Sequence, residues 1–179
     1  MQKQLNHQEF KLRQEKNKNN IIVVLENLEH AENIGSAFRL ADAFNIEGIV
    51  IIANENLDWR KIEKTARNCE NSVHYCICKN ADEALTFISK KNYKPINIEI
   101  TSESKPLRKV DFAKLGNVAL IVGNERTGVS DEMLEKVPNS CHIEMYGNNS
   151  SMNVSTALAI ALYKVSEDML ELKKNYELI

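Results

Sequence analysis

Six apolar runs rich in β-branched residues constrain this chain more than anything else in it: Ile21–Leu25, Gly48–Ala53, Val73–Cys78, Ile96–Ile100, Val118–Val122 and Cys141–Met145. They are continuous rather than alternating, so a strand made from one is buried on both faces. Segments of helical spacing separate most of them. Ala37, Leu40, Ala41 and Phe44 share one helix face, and Ala84, Leu85 and Ile88 share another. Strands covered on both sides and joined by helices make a mostly parallel sheet, so the expected class is α/β. Asn80 before Asp82-Glu83 and Ser130 before Asp131-Glu132 read as helix caps followed by acidic first turns. A last helix, about Asn153 to Lys174, carries the stripe Val154, Leu158, Leu162, Val165, Met169 and Leu172. Its first half reads as core packing; Met169 onward reads as a dimer contact or a terminal brace.

A chain of 179 residues fits one domain with a sizeable core. We place that domain at 20–179, preceded by a polar arm or helix over 1–19. No apolar run approaches the roughly 18 residues of a membrane span, and the start lacks the apolar core of a secretory signal. The reading is a cytoplasmic protein without a membrane partner. Cys69, Cys76, Cys78 and Cys141 form no C-x-x-C pair, and His7, His30, His74 and His142 have no metal-ligand spacing, so neither a metal nor a disulfide is expected. The net charge of −2 gives no global attraction for nucleic acid. Charge is uneven, however. Residues 1–20 hold five basic against two acidic side chains, and Asp58 to Asn68 holds four against two. Such patches bind phosphates or are simply solvated helix faces.

Three polar segments follow apolar runs, as expected of loops that assemble a ligand site at strand ends. They are Asn33-Ile34-Gly35 with Arg39 behind it, Gly123-Asn124-Glu125-Arg126-Thr127-Gly128, and Gly147 through Ser155. No G-x-G-x-x-G exists, so a dinucleotide loop is disfavoured. Gly123 and Gly128 have phosphate-loop spacing, but Val129-Ser130 follows them and Glu125 would repel a phosphate. No serine sits in a G-x-S-x-G elbow. An arginine, a glutamate, two asparagines and several serines remain. That set contains no strong nucleophile or ordinary base, which suggests catalysis by positioning two substrates.

Taken in order, Asn33-Ile34-Gly35-Ser36-Ala37-Phe38-Arg39, Ile121 through Ser130, and Ile143-Glu144-Met145 with Ser151-Met152-Asn153-Val154-Ser155 resemble the three motifs of the SPOUT superfamily, specifically its SpoU/TrmH-type RNA ribose 2′-O-methyltransferases. The similarity runs from about Ile21 to Val165. Glu144 and Met152 depart from the family's usual proline and leucine.

The resemblance implies a five- or six-stranded parallel sheet with a C-terminal trefoil knot, S-adenosyl-L-methionine as cofactor, tRNA or rRNA as substrate with tRNA placed first, and a homodimer whose site the partner completes. It implies a cofactor pocket from Thr101, Val122, Gly123, Gly128, Ile143, Met145 and Met152, and a catalytic set of Arg39, Asn33, Glu125, Ser151 and Asn153. Arg39 is open to two roles: holding the RNA phosphate and the developing alkoxide, or, deprotonated, accepting the proton. Asn33 and Asn153 each also read as helix caps, and Glu125 as an acid that orients Arg39 or another polar group. A non-catalytic RNA-binding protein of the same fold is the alternative, and a small-molecule enzyme with a doubly wound nucleotide site is a third reading.

Overall fold

The computed structural model describes residues 19–53 and 56–176, together with 4, 6, 8 and 9. Most of the expected arm therefore lies outside the described residues. Within it, Asn6 and Glu9 exchange reciprocal backbone-to-side-chain hydrogen bonds of 2.9 and 3.0 Å, the pattern that opens a helix.

The apolar runs become strands β1 (Asn19–Glu26), β2 (Ile46–Ile52), β3 (Tyr75–Cys78), β4 (Lys94–Ile98), β6 (Val118–Val122) and β7 (Ser140–His142). A seventh strand, β5 (Lys105–Pro106), has too few residues and no apolar pattern to be legible beforehand. They form one seven-stranded sheet in the order β3-β2-β1-β6-β4-β7-β5, and every pairing is parallel. The sheet is thus wider than the five or six strands expected. Its extra member is the short edge strand, where a proline costs no ladder hydrogen bond on the open side.

Helices α1 (Ala31–Ala43), α2 (Trp59–Ala66), α3 (Ala81–Lys90), α4 (Asp131–Lys136) and α5 (Val154–Tyr176) cover both faces. Phe38 and Ala41 of α1, Ile62 of α2 and Leu162 of α5 pack on one face with Ile21, Val23 and Leu120. Ala84 of α3 and Met133 of α4 pack on the other with Ile22, Val24 and Ile121. Alternate residues of β1 therefore feed opposite cores, as two-sided burial requires.

Both expected caps form. Asn80 accepts from the Glu83 N–H at 2.9 Å, and the Ser130 hydroxyl accepts from the Met133 N–H at 3.1 Å. Ser130 also donates its hydroxyl, at 2.6 Å, to the buried carboxylate of Glu26, tying the end of β1 to the start of α4.

Two readings need correction. Asn33-Ile34-Gly35 is not a loop but the first turns of α1; the true loop after β1 is residues 27–30. The stripe on α5 is core packing as far as Met169, which is 8% exposed. Among the described side chains of that helix, the exposed large apolar groups are Ile160 and Tyr163; the Leu172 side chain lies outside the described residues.

Gly35 fixes how closely α1 and α2 cross. A Cβ there would meet the Ile62 carbonyl at 2.6 Å and Thr65 Cβ at 2.7 Å. We predict that Gly35→Ala destabilises the fold by about 1–3 kcal/mol through overpacking, read as a fall in melting temperature; an unchanged melting temperature would contradict this packing.

Candidate active site

In a parallel sheet all strands end on one side, and ligands bind where those ends leave a crevice. Here β1, β4, β6 and β7 end around a cavity of about 670 Å³. Val122, Gly123, Glu125 and Gly128 line it after β6; Ile143 and Met145 line it after β7; Ser151, Met152 and Asn153 line it before α5; and Asn33 reaches it from α1. The volume is that of a site for a drug-sized or nucleoside-sized ligand.

The three motif segments meet through three side chains and two hydrogen bonds. The Asn33 amide donates to Glu125 at 2.7 Å, and the Asn153 amide donates to the Asn33 side-chain oxygen at 3.1 Å. Glu125 also accepts from the backbone N–H groups of Glu29 at 2.9 Å and His30 at 3.1 Å. Its carboxylate thus sits against the N-terminus of α1, where a negative charge is favoured. His30, the residue at the cap position, forms no side-chain capping bond there. The helix is served by a carboxylate distant in sequence, and Asn33, read as a cap, instead lies inside it. Asn153 does cap: its side-chain oxygen accepts from the N–H groups of Ser155 at 2.9 Å and Thr156 at 3.2 Å.

The loop after β6 closes on itself. Asn124 and Gly128 exchange backbone hydrogen bonds, each of 2.9 Å, and the Asn124 side chain accepts from Arg126 and Thr127 N–H. No side chain fits at Gly123, where a Cβ would stand 2.2 Å from Gly128 backbone atoms. Gly128 has a φ of +71°, and a Cβ there would meet a Glu99 carboxylate oxygen at 2.4 Å. Glu99 belongs in that space because it accepts from the Val129 N–H at 3.0 Å.

Arg39 and Thr101 stand apart from this cavity. Arg39 lies six residues beyond Asn33, about 9 Å farther along the helix. Its side chain is exposed, and the Glu125 carboxylate is held by Asn33, Glu29 and His30, so Glu125 orients Asn33 rather than Arg39. Thr101 lies past the end of β4 and closes a local turn with Ser104, whose hydroxyl donates to the Thr101 carbonyl at 2.9 Å. Glu144 forms a two-point ion pair with Arg108, one arm of which is 3.1 Å, and this pair holds its carboxyl below the usual range. The place of the family's usual proline is therefore taken by an ion pair bracing the loop between Ile143 and Met145.

Ile98, Glu99, Ile100 and His142 also line the cavity without having been singled out. Glu99 and Ile100 end one of the apolar runs, and His142 lies within another. Its ring nitrogen lies 2.8 Å from the Ser104 hydroxyl, a polar role that β-strand patterning does not reveal.

The model of the SpoU rRNA Methylase family matches residues 20–163. The chain belongs to this family. The tRNA (guanosine(18)-2′-O)-methyltransferase of Aquifex aeolicus is 28% identical over 153 residues, spanning 84% of this chain and 70% of that one. The crystal structure of the A. aeolicus TrmH/SpoU tRNA modifying enzyme superposes with a TM-score of 0.76 at 26% identity, covering 88% of this chain and 79% of the other. An AdoMet-bound rRNA methyltransferase from Sinorhizobium meliloti shares the fold, with a TM-score of 0.75 at 19% identity over 84% of this chain and 57% of its own length. This SpoU-family chain thus spans little more than half of that protein.

The acid behaviour of Glu125 tests the junction. Burial alone would push its carboxyl up; the Asn33 amide and the N–H groups of Glu29, Glu125 itself and His30 outweigh it and hold the carboxyl below its ordinary value. A depressed folded pKa means that the unfolded chain takes the proton first as pH falls. The contribution is therefore complete above the ordinary carboxylate range and drains away below about pH 4. Glu125→Gln should cost about 1–3 kcal/mol, because an amide N–H would face a backbone donor. It should also flatten this part of the acid-denaturation curve; an unaltered curve would refute the assignment.

Proposed function

We propose that this chain transfers a methyl group from S-adenosyl-L-methionine to a ribose 2′-hydroxyl of structured RNA. The single observation that carries the reading is the joining of all three motif segments, through Glu125, Asn33 and Asn153, at the rim of one cavity. Family membership and the named activities of the relatives support it. Both tRNA and rRNA enzymes stand among the relatives, and we place tRNA first.

The lining fits this cofactor. Ile98, Ile143, Met145 and Met152 offer apolar walls to an adenine ring, while Ser150, Ser151 and loop backbone offer polar partners. We assign Val122, Gly123, Gly128, Ile143, Met145 and Met152 to cofactor binding. When bound, S-adenosylmethionine supplies a sulfonium methyl open to in-line attack. The protein's part is to hold the sugar oxygen in line and to stabilise its developing negative charge while the hydroxyl proton passes to solvent water and the sulfonium leaves as a neutral thioether. Arg39 takes that second role, together with holding the adjacent phosphate, since a guanidinium stays protonated at neutral pH. Ser151 and Asn153 contact ribose or cofactor, and Asn33 and Glu125 keep Asn153 in place.

Because Arg39 lies outside its own chain's cavity, the reading includes a homodimer in which a partner completes the site. Exposed Tyr146 (88%) and Tyr163 (61%) offer apolar surface for such contact. A trefoil knot belongs to the same proposal. It is supported by β7, which inserts between β4 and β5 although both precede it in the chain. Buried or half-buried cysteine thiols, with Cys141 pushed by burial to about 12, suit the reducing cytoplasm in which we place the protein.

The test is methyl transfer from labelled cofactor to total RNA. Arg39→Ala should lower transfer at least ~100-fold, the scale of a lost charge-stabilising group, while cofactor affinity by calorimetry stays within about twofold of wild type. RNA binding without transfer by the wild type would instead establish the non-catalytic alternative.

A further inference from the structure

The outer face of α2 has no part in the cavity. Arg60 and Lys64 stand at i and i+4 on the side of α2 opposite the buried Ile62 and Ala66, and Arg67 follows as the residue that ends the helix. All three are exposed, and among the described residues none is in an ion pair, whereas Lys61 is paired with Asp58 at 3.5 Å. Glu63 and the half-buried Glu70 are the other acidic groups of this segment.

The stripe leads toward Arg39. α2 crosses α1 at Gly35, one turn before Arg39. The chain then turns through Arg67 and Asn68 into a short 3-10 turn at Cys69–Asn71. The Ser72 hydroxyl reaches the Asp42 carboxylate at 3.4 Å, tying this turn to α1, the helix that carries Arg39. At the other end Trp59 is anchored by Tyr75, ring centroids 5.3 Å apart, and by Phe38 at 6.5 Å. The segment that carries the stripe is therefore packed at both of its ends.

Arg67 carries a second, independent signal. It ends α2 in the left-handed region, φ 54° and ψ 50°, and Asn68 follows at φ 70°. Glycine is the usual residue at such a helix end, and an arginine there is strained. Among the described residues Arg67 forms no ion pair, and its side chain is exposed.

We propose that Arg60, Lys64 and Arg67 form a phosphate track along which the substrate RNA backbone is led to Arg39. This rests on the RNA methyltransferase reading above. In a chain of net charge −2, it concentrates attraction for RNA on one face.

The experiment is anisotropy of a fluorescein-labelled RNA hairpin with the full chain across a potassium chloride series, with S-adenosylmethionine calorimetry on each variant. Each residue removed, in Arg60→Ala/Lys64→Ala and in Arg67→Gly, should reduce the slope of log affinity against log salt by about 0.7–0.9 and weaken binding ~3–10-fold at low salt. Arg67→Gly should meanwhile melt at the same temperature or about 2 °C higher, since it relieves the strain. Lys90→Ala/Lys91→Ala, on the far side of the sheet, should leave slope and affinity unaltered. The track is overturned if the stripe variants bind like wild type or like the Lys90/Lys91 control, or if wild type ignores the hairpin while binding cofactor; the methyltransferase reading survives either result. Failure of the wild type to bind cofactor would overturn that reading and the track with it.

Discussion

The contact between Glu125, Asn33 and Asn153 is the constraint on which the rest of the site depends. Three segments separated by some ninety and thirty residues are brought within hydrogen-bond distance by two side-chain amides and one carboxylate. Each member is fully used: Glu125 closes the N-terminus of α1, Asn33 bridges, and Asn153 opens α5. Such a network loses most when one member is removed, because the remaining polar groups are then left unpaired. The positions of the cavity walls follow from it.

The two glycines of the loop after β6 act differently from those of a phosphate-binding loop. Gly123 lets the loop fold onto its own backbone, and Gly128 makes room for the Glu99 carboxylate. The backbone N–H groups that would cradle a phosphate are occupied, by Asn124 and by Glu99. This leaves a pocket suited to a neutral or cationic ligand, in agreement with a sulfonium cofactor and with the absence of a lysine after Gly128.

A division of labour follows. The cavity lies at the strand ends, where apolar walls and closed turns lower the entropy of ordering a bound ligand. The exposed basic groups lie elsewhere, on α2 and at Arg39. The ion pair of Arg108 with Glu144 shows the same economy: a two-point contact braces a loop that a proline would otherwise stiffen.

The continuous β-branched runs and the capping residues by themselves determined the class, most of the strands and the starts of α3 and α4. These are local properties: two-sided burial selects the residue types, and a cap acts within three residues of itself. Asn33, Glu125, Ser151, Asn153 and the walls Val122, Gly123, Gly128, Ile143, Met145 and Met152 were legible because their motifs occur in a fixed order. Only the tertiary structure decided that Asn33 is helical and held by Glu125, that Arg39 lies outside its own chain's cavity, that Thr101 serves a local turn, and that Glu99 and His142 line the site. Each of those outcomes depends on which strand lies beside which. Strand order, with β7 set between β4 and β5, is a long-range arrangement that no local run of residues encodes.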